Sequence, residues 1–151
     1  MRAIPLLTLA LLLVPSVCRA DDGDDTLRFY LAKSDLVVLG TIVSKPIAKS
    51  TEAGVLGYGC DFHVAEVCKG DAALEDTTIR VSIGRFEGAK KDHHPLIEMD
   101  AECILFLKNG SSGTIPRWLT ADFWFGVQQP SPWMAKSLKR LASQEKPAEE
   151  P

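Results

Sequence analysis

The histidines come first, because a neutral imidazole is the side chain best suited to hold a metal or move a proton near neutral pH. Two of the three stand together in Asp92-His93-His94-Pro95, where imidazoles beside a carboxylate supply donors for zinc, copper or nickel. Neighbouring side chains on an extended loop diverge, however, and metal signatures space their ligands about two to five residues apart with a second cluster elsewhere. The remaining histidine is His63. His93 and His94 are therefore the candidate metal ligands of the chain, set against a plainer reading as an exposed polar loop.

Thiols are the next reactive groups. Of the 4 cysteines, Cys18 falls in the leader described below, which leaves Cys60, Cys68 and Cys103. Cys60 and Cys68 lie on one expected strand, roughly 26 Å apart at about 3.3 Å per residue, and a disulfide needs Cα atoms within about 7 Å. They cannot pair across an intact strand. Cys103 can reach one of them, which makes Cys60–Cys103 a candidate bridge; the alternative is three buried thiols acting as small hydrophobes. A thiolate nucleophile paired with His63 is disfavoured, because Cys60 and His63 are three residues apart on a strand and so point to opposite faces. Asp61 and His63 do share a face, but without a nucleophile beside them they form a surface pair. The sequence has no G-x-S-x-G, no H-E-x-x-H, no glycine-rich phosphate loop and no C-x-x-C, and the chain reads as non-catalytic with no cofactor. Among the three tryptophans, Trp118, Trp124 and Trp133, an outward Trp124 is the candidate partner contact, with packing against Trp133 under a terminal helix as the structural alternative.

These residues are positioned by a short run of elements. Asp25 or Thr26 can cap a helix in which Leu27, Tyr30 and Leu31 form one apolar face, ending near Ser34. Residues 36–43, Leu-Val-Val-Leu-Gly-Thr-Ile-Val, are apolar on both parities, as expected of a strand buried on both sides, and Gly40 suggests a bulge or bend. Residues 54–59 read as a loop. Along 58–68 the residues Tyr58, Cys60, Phe62, Val64 and Cys68 alternate against Asp61 and His63, and along 77–84 Ile79, Val81 and Ile83 alternate against Thr78, Arg80 and Ser82. A fourth strand spans 102–108 before the turn pair Asn109-Gly110, and a fifth is expected over 123–127. Ser131-Pro132 starts a closing helix with Met134, Leu138 and Leu141 on one face. Five strands flanked by two helices favour a mainly β fold, a small Greek-key barrel of the oligonucleotide/oligosaccharide-binding (OB) type, with a β-sandwich as competitor.

The chain is 151 residues long, 46% hydrophobic and 25% charged, enough for one globular domain. Residues 1–20 look like a secretory signal peptide: Arg2, an apolar run from Leu6 to Val14, Pro15, then Cys18-Arg19-Ala20 with cleavage after Ala20. The run is too short for a transmembrane helix, and Val17 before Cys18 fits lipid attachment poorly. Removing Arg2 and Arg19 from the 17 basic residues and none from the 20 acidic ones takes the net charge from −3 to −5. Nucleic acid is thereby disfavoured, since a phosphate-binding surface needs a basic stripe. The domain is expected over 21–143 and a disordered tail over 144–151.

The runs Ser34-Asp35-Leu36-Val37-Val38-Leu39-Gly40-Thr41-Ile42, Phe62-His63-Val64-Ala65-Glu66-Val67-Cys68-Lys69-Gly70-Asp71 and Ala101-Glu102-Cys103-Ile104-Leu105-Phe106-Leu107 resemble a family of secreted bacterial domains similar to netrin-like modules and tissue inhibitors of metalloproteinases. The resemblance spans about residues 26–142. It implies a five-stranded barrel with terminal helices packed beside it. It also brings inhibition of a metalloproteinase as an alternative, although that mechanism uses an N-terminal cysteine and the expected mature terminus is Asp21. The resulting expectation is an exported, non-catalytic domain that binds a protein or cell-envelope component, with metal binding through His93 and His94 as the second alternative.

Overall fold

A computed structural model describes residues 21–50, 55–86, 97–110, 117–123 and 125–145. The elements in chain order are α1 (Asp21–Lys33), β1 (Leu36–Ile42), β2 (Ile47–Ser50), β3 (Val55–Lys69), a single 3-10 turn (Ala72–Leu74), β4 (Thr78–Phe86), β5 (Glu102–Asn109), β6 (Trp118–Thr120), β7 (Val127–Gln128) and α2 (Pro132–Glu145). The protein is mainly β, and five of the strands close on themselves. β1 pairs antiparallel with β3 and with β5, β3 with β4, β4 in parallel with β6, and β6 with β5. β2 continues along β3, and β7 lies on β5.

Two apolar layers account for this arrangement. Leu36, Val38, Ile42, Cys60, Phe62, Val64, Val81, Ile83, Cys103, Leu105 and Leu107 fill the inside of the ring. Val37, Ile104 and Phe106 point the other way, beneath Leu27 and Leu31 of α1 and Leu138 and Leu141 of α2. β1 and β5 thus bury both faces, which is why Leu36 to Ile42 carries no alternation of polar and apolar residues. Full burial of a Leu, Ile or Phe side chain contributes about 1.5–3 kcal/mol against exposure, and β1 and β5 supply such residues to both layers.

The elements differ from the sequence expectation at several places, β2 having no expected counterpart. β3 begins at Val55, three residues ahead of the strand start expected at Tyr58, within a stretch that reads as a loop. The fifth ring strand is Trp118–Thr120, not 123–127. In the 121–126 stretch Asp122 holds a turn: its side chain accepts from the Phe125 N–H at 2.9 Å, and its carbonyl accepts from the Gly126 N–H at 3.0 Å. An aspartate that folds the backbone onto itself competes with strand pairing. Third, Cys68 does not share the interior with Cys60. β3 carries two extra residues against β1, Ala65 between the pairs Leu39–Glu66 and Gly40–Val64, and Cys68 between Val37–Lys69 and Val38–Val67. The first insertion reverses the alternation, so Val67 packs on the ring interior and Cys68 on the helical layer. Fourth, α1 runs from Asp21, ahead of the expected cap at Asp25 or Thr26. The bulge expected at Gly40 is present between Leu39 and Gly40.

The helices are fixed at defined ends. Ser34 closes α1 by donating its hydroxyl to the Tyr30 carbonyl at 2.7 Å, and the Lys69 ammonium donates to the Leu31 carbonyl at 2.7 Å while pairing with Glu145 of α2 at 3.1 Å. One lysine therefore ties α1, β3 and the last turn of α2, supplying charge where the carbonyls of α1 are unpaired. At the start of α2 the Ser131 hydroxyl accepts from the Met134 N–H at 3.1 Å. Ser131→Ala is expected to lower stability by about 1 kcal/mol, read as a shift in the urea midpoint; an unchanged midpoint would show that the cap contributes nothing. Helix α2 ends at Glu145, two residues into the segment expected to be tail.

Candidate functional site

The sequence candidates separate widely. His93, His94 and Trp124 lie outside the described residues. Among the described residues no three or more His, Cys, Asp or Glu come together to hold a metal, and no helix is long and apolar enough to cross a membrane. Asp61 and His63 do share the outer face of β3, but Asp61 engages Arg80 of β4, its carboxylate accepting from the guanidinium at 2.7 Å. That pair is half exposed, so solvent screens it and it adds little to stability.

Cys60, Cys68 and Cys103 are free thiols. Cys60 and Cys103 both face the ring interior and are fully buried. Burial pushes the Cys60 thiol from 9.0 up to about 11, with Arg80 opposing and Asp61 adding. Burial, followed by the neighbouring Cys60 and Glu102, raises Cys103 to about 12, and burial followed by Glu66 raises Cys68 to about 11. A thiol must lose its proton to act as nucleophile or metal ligand, so none of the three is set up for either role near neutral pH. In the native protein under reducing conditions, Cys60 and Cys103 should resist an aromatic disulfide reagent at pH 8 and react only on unfolding, with all three thiols counted in denaturant. Rapid native labelling of two or three thiols would contradict the burial.

A different surface emerges from the strand register. Ile47 of β2 is opposite Gly59 of β3, Gly59 opposite Ser82 of β4, and Ser82 opposite Leu119 of β6, so these four residues form one row across the outside of the ring. Paired residues in a sheet project to the same face. Ile47 is 57% exposed and Leu119 is 37% exposed, while the two positions between them carry hydrogen and a hydroxymethyl group. With strands about 4.8 Å apart, the apolar rims stand about 14 Å apart along the sheet, over a floor that is mostly backbone.

The neighbouring rows continue this relief. Lys49 of β2 pairs with Gly57, and Gly57 with Gly84 of β4. The Phe123 ring lies directly on Gly84, where a Cβ would overlap it, and the Gly84 N–H donates to the Thr120 hydroxyl at 2.9 Å. On the other side the Asp61–Arg80 pair closes the floor, beside Val43, whose N–H donates to the Asp61 carbonyl at 2.9 Å. Val43 and Met99 are half exposed, and the Asp100 N–H donates to the Ile42 carbonyl at 2.8 Å. The result is a shallow trough floored by Gly57, Gly59 and Ser82, with Ile47 on one side, Leu119 and the Phe123 ring over Gly84 on the other, and one ion pair at one end. Glycine within a strand permits another backbone or a flat ligand to approach closely.

No residue of this floor was singled out from the sequence. The signal was present in Gly57-Tyr58-Gly59, where glycines two apart flank a residue that packs inward; read at strand period, they face outward together.

A second concavity, a cleft of about 510 Å³, lies where the end of β3 meets α2, lined by Val67, Cys68, Gly70, Lys139, Ala142 and Ser143 among others. Lys139 pairs with Glu66 at 2.6 Å. No model of a known protein family matches the chain, and no curated protein is significantly similar to it.

Proposed function

We propose that the protein is an exported, non-catalytic binding domain, which engages a protein or cell-envelope component on the trough formed by β2, β3, β4 and β6. The observation that carries this reading is the row Ile47–Gly59–Ser82–Leu119, a floor without bulky side chains held between two exposed apolar residues. The ring interior is packed with fully buried side chains, so a ligand is met on the outer surface. The fold assignment that accompanies the proposal is a Greek-key barrel of the OB type, similar to netrin-like modules. The cyclic order β1-β3-β4-β6-β5, its parallel β4–β6 contact and the two helices lying on β1 and β5 support that assignment. Export rests on the leader at residues 1–20, with cleavage after Ala20.

Gly59→Val tests the reading. A Cβ at Gly59 meets only the end of the Arg80 side chain, at 4.0 Å. The substitution is therefore tolerated by the fold, with stability expected to stay within about 1 kcal/mol of the parent, because valine suits a strand better than glycine. It raises the floor between the rims. Mature protein carrying Gly59→Val, compared with the parent in capture from the envelope fraction of its own source, is expected to lose its partner at least tenfold while keeping its urea midpoint. Equal capture by the two proteins, or no capture by either, would overturn the proposal.

A further inference from the structure

We draw no further inference here: the strongest candidate outside the trough, the cleft between the end of β3 and α2 around Cys68, carries nothing, because its two lysines are already held by Glu145 and Glu66 and a lone protonated thiol gives no indication of a ligand.

Discussion

Gly40→Ala is expected to destabilise the protein by about 4 kcal/mol or more, a large fraction of the roughly 5–15 kcal/mol that keeps such a domain folded. At this position β3 bulges toward β1, and a Cβ would overlap the His63 carbonyl oxygen outright, while standing 2.8 Å from the Phe62 ring and 3.0 Å from the His63 carbonyl carbon. Two of these three obstacles are backbone atoms, which cannot rotate aside as a side-chain tip can. Gly40 also pairs with Cys103 of β5, so moving β1 away from β3 drives it into its other neighbour. The contrast with Gly59→Val is the informative comparison. Two glycine substitutions on adjacent strands should differ by several kcal/mol, the smaller side chain doing the greater damage. Urea unfolding followed by far-UV circular dichroism measures both; a Gly40→Ala midpoint within about 1 kcal/mol of the parent would mean that β3 does not approach β1 as described.

Alkali should unfold the protein well below the pH at which its thiols ionise in the native state. Cys60, Cys68 and Cys103 have native values of about 11, 11 and 12 against 9.0 in an exposed chain, in each case chiefly because burial disfavours the thiolate. Above pH 9 the unfolded chain releases these protons and the folded protein retains them. The unfolded state then binds fewer protons, and stability falls as pH rises. The contribution is fully present below pH 9 and is lost as pH climbs through 11 to 12. At about 1.4 kcal/mol per pH unit, thiols raised by about 2, 2 and 3 above 9.0 lose on the order of 10 kcal/mol in all across that window. Urea midpoints measured from pH 8 to 11.5 in reductant should therefore decline steeply, and Cys103→Ala should make the decline shallower whatever it costs at pH 8. A midpoint independent of pH above 9, or an undiminished slope in Cys103→Ala, would refute the assignment of that slope to buried thiols.

The sequence was most informative where a local cause dominates. Ser131-Pro132 specified the start of α2 because a hydroxyl acceptor followed by a residue lacking N–H is complete within four residues. The doubly apolar run at Leu36 to Ile42 and the alternation from Thr78 to Ile83 identified two strands, since each has a fixed relation to a buried face. Prediction failed where distant partners decide. Phe123 and Phe125 suggest a strand by composition, yet Asp122 folds that stretch, and Phe125 stacks on Tyr30 of α1 with ring centroids 4.0 Å apart. Alternation alone places Cys68 in the interior, whereas it lies on the helical layer, because an inserted residue is invisible until the strand opposite it is known. The trough was missed for a related reason. Glycines at 57 and 59 resemble a loop until β2 and β4 fix them in register as part of a wall.

The insertion at Ala65 has a consequence for how the molecule comes apart. Before it, β3 gives Cys60, Phe62 and Val64 to the ring; beyond it, Cys68 rests on the helical layer and Lys69 grips both helices. A single continuous backbone is thus rooted in two cores. Neither helix can peel away without disturbing a strand that also lines the centre, so melting should proceed as one cooperative event, with no intermediate that keeps the ring and sheds its cover.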